Sequence, residues 1–381
     1  MKMNDKYFIG GICALSVCLF IYAGFTTDSD VALVDKSHTP SMKGVCWVAG
    51  DSIAGHNIDQ IMDVHANWIS QTPFGWMESH QSTKVVLNNE RAWWGETDKG
   101  LAHTAELARA SGVKSILKPH IWLRRGEDGK FRADIKMKSK EEWDDWFQSY
   151  QDWILHYAKL AEASEMEALC IGTELHQTIK HPDRWRSIIR EIRKVYSGQI
   201  TYAANWYHEY QDVTFWDELD FIGIQAYFPL SSQKNPDKKA LIKSWSKHKK
   251  DLKKLSKKYN KKIVFTEIGY KNTADAAKDP WTWPQDLDHS VERSDETQIV
   301  CYHALFESLW HEPWFDGLFI WKWFHTTYKH ENYQDYFIAR QERRKQWAKR
   351  RGRELGPQVY FTPQHSPAAM EVMGEWYGGI N

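Results

Sequence analysis

From residue 44 onward, short continuous apolar runs alternate with longer stretches whose apolar residues recur every three or four positions. The short runs lack the polar alternation of a strand with one wet face, so they read as strands covered on both sides, and the longer stretches read as amphipathic helices. Eight strands are predicted: 44–49 (GVCWVA), 66–71 (ANWISQ), 115–122 (SILKPHIW), 167–174 (EALCIGTE), 199–205 (QITYAAN), 219–227 (LDFIGIQAY), 262–267 (KIVFTE) and 317–323 (GLFIWKW). Between them the spacing predicts helices at 99–111, 141–164, 183–196, 237–258 and 295–310. Eight βα units in succession point to an α/β fold of the (β/α)8 TIM-barrel kind, with residues 43–381 as one catalytic domain. A doubly wound sheet is the alternative, but no glycine-rich phosphate loop follows the first strand.

The first residues break this pattern. Lys2 and Lys6 precede an uncharged run from Tyr7 to Phe25, and Asp28 and Asp30 follow, the charge order of an export signal. Residues 1–25 are therefore expected to be a signal peptide or a retained membrane anchor, and 26–42, with Ser, Thr, Asp and one Pro, a linker. The rest of the chain is expected outside the cytoplasm: periplasmic, extracellular or tethered to the outer side of the inner membrane.

Composition narrows the function further. Fifty Lys plus Arg balance fifty Asp plus Glu, which leaves no global field to attract nucleic acid. Five scattered cysteines form neither a disulfide framework nor a zinc spacing, and the histidines form no HExxH pair. No metal and no cofactor is called for, and a monomer is expected. Tryptophan is abundant, 21 of 381 residues, more than packing requires of a side chain that is seldom fully buried. One basic stretch, 341–354 (QERRKQWAKRRGRE), reads as a solvated surface helix, with contact to anionic lipid or an acidic glycan as the functional alternative.

In a TIM barrel the chemistry sits at the C-terminal ends of the strands. Those ends read His120, Glu174, Asn205, Tyr227 and Glu267, with Trp122, Trp206 and Trp321 beside them. Glu174 closes the fourth strand and Glu267 the seventh, so both carboxylates project into one mouth. Glycoside hydrolysis needs such a pair, one group to protonate the leaving oxygen and another to attack the anomeric carbon or activate water. A glutamate is costly to bury at the end of an apolar strand without a purpose. Aromatic residues in the adjoining loops, Trp281 and Trp283 after the seventh strand, Trp93 and Trp94 after the second and Trp206 and Tyr207 after the fifth, supply flat faces for pyranose rings. The candidate site is thus Glu174 and Glu267 as the catalytic pair, with His120, Trp122, Asn205, Trp206, Tyr227, Trp281 and Trp321 binding substrate. Trp143, Trp146, Trp153, Trp185, Trp245 and Trp310 fall on helices and are assigned to packing.

The segments LKPHIW, WFQSYQDWI, IGTELHQT, TYAANW, FWDELDFIGIQAYFPL and FTEIGY occur in order, and together the chain resembles glycoside hydrolase family 113, in the clan A of retaining TIM-barrel glycosidases. The stretch FTPQHSPA at 361–368 resembles the family's closing segment. The resemblance implies a retaining β-mannanase acting on mannan or manno-oligosaccharides by double displacement. It also implies Glu174 as acid/base, Glu267 as nucleophile, Tyr227 beside the nucleophile and Trp321 under the reacting sugar. The wider clan has Asn before the acid/base where this chain has Thr173. A β-glucan or other β-hexosan hydrolase is the nearest alternative, and a non-catalytic glycan-binding barrel the alternative from another class.

Overall fold

The structure, a computed structural model, describes residues 38–379 apart from 51, 54, 88–91, 126–128, 288–289, 326–332, 353–354 and 356–357. The export segment 1–25 and most of the linker lie outside the described residues. Eight parallel strands close into a barrel: β1 (Met42–Val48), β2 (Trp68–Gln71), β5 (Lys114–Leu117), β7 (Ala168–Thr173), β8 (Gln199–Asn205), β9 (Ile222–Gln225), β10 (Ile263–Ile268) and β11 (Phe315–Phe324), with β11 pairing back onto β1. This is the (β/α)8 architecture the sequence pattern predicts.

Alternate residues of each strand serve two cores. Met42, Cys46, Ala168, Cys170, Ala203, Val264 and Phe319 pack together as one buried cluster. Their strand neighbours Val45, Leu169, Ile171, Ile263 and Phe265 join the large cluster that the helices cover. Burial on both faces is why these strands read as unbroken apolar runs. The covering helices include α2 (Asp98–Ala110), α3 (Lys140–Ala163), α4 (Pro182–Arg193), α6 (Lys238–Tyr259) and α7 (Asp295–Leu309), within a few residues of the predicted bounds. Thr97, Ser139, Asp237 and Ser294 cap α2, α3, α6 and α7 with side-chain oxygens, which explains where these helices begin. Trp146, Trp153, Trp185, Trp245 and Trp310 are buried in this layer, as assigned; Trp143 is half-buried against it.

One predicted strand is two. The run 115–122 leaves the barrel after Leu117, and His120–Leu123 forms β6 of a separate sheet with β3 (Phe74–Met77) and β4 (Val86–Leu87). Pro119 lies at the break: it has no N–H for the ladder and it restricts Lys118 before it, so the ladder ends there. The chain stays beside the segment that follows β2, Lys118 N donating to Gln71 O and His120 N to Pro73 O, while its pairing with β7 ends at Leu117.

At the other end of the chain, α8 (Tyr333–Arg351) carries most of the basic segment as a helix. Beyond it the FTPQHSPA stretch latches the last barrel strand: Gln364 accepts from Phe324 N and donates to Phe324 O, both at 2.7 Å. α9 (Pro367–Gly378) then brings Tyr377 under the barrel, where its hydroxyl donates to Gly44 O at 2.8 Å. Cys46, Cys170 and Cys301 are buried and unpaired. Among the described residues no helix is long and apolar enough to cross a membrane.

Candidate functional site

β7 and β10 deliver the two carboxylates. Glu174 follows directly on β7 with φ +54°, a left-handed conformation, and Glu267 lies within β10. Both side chains line one cleft of about 640 Å³, together with Trp122, Asn205, Trp206, Tyr227, Trp281 and Trp321. The structure thus brings together every predicted site residue except His120. That residue is buried at the start of β6, edge-on to Phe74 at 6.0 Å between ring centroids, and it is not among the side chains lining the cleft. Position along β6 separates the two predicted residues there: His120, at its start, is buried, whereas Trp122, two residues on and exposed, reaches the cleft.

The two glutamates have different partners. Glu267 Oε2 accepts from Lys118 Nζ at 2.9 Å and from Gln225 Nε2 at 2.8 Å, and its Oε1 accepts from the Tyr227 hydroxyl. Burial by itself would raise this carboxyl, but the Lys118 charge and the three donors overrule it and hold it below the usual carboxylate value. Lys118 responds in kind: its burial opposes charge, yet the facing Glu267 carboxylate raises the ammonium above its ordinary value. Its Nζ also donates to Thr266 O at 3.0 Å.

Glu174 Oε1 accepts from Asn205 Nδ2 at 3.0 Å, and its Oε2 meets Arg132 Nε at 3.2 Å. Here burial prevails over the Arg132 attraction, and the carboxyl is raised above its ordinary value, with Glu267 nearby pushing the same way. One mouth therefore holds a carboxyl biased towards its protonated form and a carboxylate biased towards its anion, the combination that acid-assisted nucleophilic displacement requires.

Aromatic rings wall the cleft. Trp206 stacks on Trp281 with centroids 5.0 Å apart, and Trp283 meets Trp321 edge-on at 6.0 Å. Phe361, from the closing segment, adds a further ring against Tyr227 and Trp283. The Lys322 ammonium lies over the rings of Trp283, Trp321 and Phe324, and burial lowers it to about 8. The Arg132 guanidinium lies over Trp122 at 5.9 Å. Trp93 and Trp94 do not line this cleft.

Lys118, Gln225, Arg132, Phe131 and Phe361 are site residues that the sequence reading missed. Lys118 and Gln225 did carry a signal, each being a polar residue inside an apolar strand run. Arg132 and Phe361 carried none, since they reach the mouth from irregular segments far along the chain. Among the described residues no group of three or more His, Cys, Asp or Glu side chains could hold a metal ion.

Comparison with known proteins agrees with this geometry. The family model of Glycoside Hydrolase Family 113 matches residues 47–338, well over half the chain. The GH113 β-mannanase AaManA from Alicyclobacillus acidocaldarius, solved in complex with ManMIm, superposes with a TM-score of 0.71 at 24% identity, covering 91% of this chain and 99% of that one. A structure of a GH113 β-1,4-mannanase superposes with a TM-score of 0.69 at 25% identity, covering 88% and 98%. No curated protein sequence matches the chain.

Proposed function

Because the chain belongs to glycoside hydrolase family 113, we propose that it is a retaining β-mannanase that cleaves β-1,4-mannosidic linkages in mannan or manno-oligosaccharides by double displacement. The observation that carries this reading is the opposite bias of the two glutamates in one aromatic cleft. In the first step a Glu267 oxygen attacks the anomeric carbon as the glycosidic C–O bond breaks, and Glu174 gives its proton to the departing oxygen. In the second, Glu174, now ionised, takes a proton from water, the water oxygen attacks the same carbon, and Glu267 leaves as the carboxylate. Inversion at each step returns the original β configuration. The mannanase activity named for the two solved relatives supports mannose as the sugar. The Trp206–Trp281 and Trp283–Trp321 pairs offer faces on which pyranose rings stack.

Proton NMR of products at first appearance tests the mechanism: manno-oligosaccharide should release the β anomer, and release of the α anomer would overturn it. Azide separates the two roles. Glu267→Ala with azide should give the glycosyl azide of inverted configuration, and Glu174→Ala the retained one on an activated aryl glycoside; exchange of the two outcomes would exchange the roles. Chain-length analysis on mannan beside a β-glucan settles the sugar, since stronger release from β-glucan would overturn the mannan assignment. The reading includes export directed by residues 1–25, which fractionation of the native protein into a cytoplasmic pool would contradict.

A further inference from the structure

Glu209 is a carboxyl group that the reaction above does not use. It opens the short helix α5 (Glu209–Asp212), its side chain is fully buried, and it does not line the cleft. Burial pushes it up to about 8, against two hydrogen bonds that favour its anion. Such a group is expensive to keep in an interior. Its partners show where it acts. Glu209 Oε1 accepts from the Tyr202 hydroxyl, and its Oε2 accepts from Asn205 N at 2.8 Å. The Tyr202 oxygen in turn accepts from Leu175 N, the residue after Glu174, at 2.8 Å. Asn205 Nδ2 donates to Glu174 Oε1 at 3.0 Å. The bonds close a ring: from the backbone just after Glu174, through Tyr202, Glu209 and Asn205, back to the Glu174 carboxyl.

That ring surrounds a strained residue. Glu174 has φ +54°, a conformation that is strained for a residue with a Cβ and persists only where its surroundings over-determine it. Glu174 N donates to Ala203 O at 2.9 Å, fixing the backbone on one side, and the Tyr202 hydroxyl fixes Leu175 on the other. Glu209 is the one member of the ring that grips both Tyr202 and Asn205, and so both the main chain and the side chain of Glu174.

We propose that Glu209 is a positioning residue that sets the backbone conformation and carboxyl orientation of Glu174 for proton transfer to the leaving oxygen. The proposal rests on Glu174 being the acid/base. A misplaced acid harms only those substrates that need a proton, and that is the signature to seek. In Glu209→Gln the volume is kept, but one acceptor oxygen becomes an NH2 that cannot accept from either Asn205 N or Tyr202. Tyr202→Phe cuts the same ring from the other side without touching Glu209.

The experiment compares kcat/KM, which reports the first displacement, on a manno-oligosaccharide and on a 2,4-dinitrophenyl manno-oligoside whose leaving group needs no proton. Both variants are expected to lose about 10²-fold on the oligosaccharide, the order that a small misplacement of a catalytic group produces. On the dinitrophenyl substrate they should stay within about threefold of the parent, since general-acid help is not needed there. Equal losses on the two substrates, or no loss on either, would overturn the proposal. So would failure of both variants to fold in a thermal melt, which would leave Glu209 a stability role alone. An inactive parent, or a Glu174→Ala variant equally impaired on both substrates, would instead overturn the assignment of Glu174 itself.

Discussion

Lys118→Met isolates what sets the charge of Glu267. The Lys118 ammonium lies 2.9 Å from Glu267 Oε2, with the lysine fully buried and the glutamate side chain nearly so. At an effective dielectric of about 20, unit charges at that separation attract by roughly 6 kcal/mol before the desolvation of both is subtracted. The pair as a whole adds little net stability. Removing one partner is another matter, because it strands the other, at a cost on the order of 3–5 kcal/mol. Methionine fills most of the lysine's volume, so the loss measures charge more than cavity.

Glu267 can relieve part of that cost by taking a proton, and this gives the test its sign. In the parent its carboxyl is held below 4.5, so the anion persists into acid. Without Lys118, burial is opposed only by Gln225 and Tyr227, the carboxyl rises, and the acid limb of kcat/KM moves to higher pH. Stability follows the same linkage. A carboxyl depressed in the folded state contributes stability above its unfolded value near 4.5, and that contribution fades as pH falls through the folded value. In the variant this fade should vanish. Measuring kcat/KM against pH, and thermal melts at acid and neutral pH, reads both effects. In the Lys118→Met, Glu267→Gln double variant, stability at neutral pH should recover part of what Lys118→Met alone loses, because no charge is left stranded. An unmoved acid limb, together with strictly additive stability losses, would refute the reasoning and reduce Lys118 to a packing residue.

Arg132→Ala removes a cation that favours the ionised form of Glu174, so its raised carboxyl should rise further and the alkaline limb of kcat/KM should move up, not down. Trp321→Ala should weaken binding of manno-oligosaccharides roughly tenfold, the scale of one lost aromatic contact; isothermal titration on the inactive Glu267→Gln background, at a temperature where the melt shows the variant folded, checks it. Gly317→Ala should destabilise the barrel by several kcal/mol in chemical denaturation, because φ there is +133° and a Cβ would lie 1.9 Å from Met42 O at the β1–β11 seam. Unchanged denaturation would show that the seam can shift to admit the methyl group.

Much of this molecule was legible before any coordinates. The eight βα units could be read because strands buried on both faces leave apolar runs, and helices with one buried face leave a period near 3.6. Glu174 and Glu267 could be read because carboxylates at the ends of such runs stand out. The split of 115–122 was the failure of that logic: β5 and β6 are both apolar, so periodicity sees one strand, and only Pro119 marks the change of sheet. Arg132 and Phe361 were not legible at all, since loops carry no periodic signal and their convergence depends on the closed barrel. Glu209 was hidden differently. In HEYQD it reads as an ordinary surface acid, and only the packing of Tyr202 and the end of β8 around it makes it buried.

Two glutamates at the mouth of one barrel would by themselves have similar acidities, so their opposite bias must come from their neighbours. Burial acts on both in the same direction, towards the neutral form. What differs is the set of donors. Glu267 receives a fully buried ammonium, an amide and a phenol, all carried by barrel strands or the residues beside them, and this set outweighs burial. Glu174 receives one amide and an arginine from a short 3-10 helix, its side chain 13% exposed like the carboxyl it meets, and this set does not. The acidity order is therefore written in Lys118, Gln225 and Tyr227 more than in the glutamates. It follows that grafting a strand-borne lysine opposite Glu174 would ionise it and erase the acidity difference between the two glutamates, while leaving the donors of Glu267 intact.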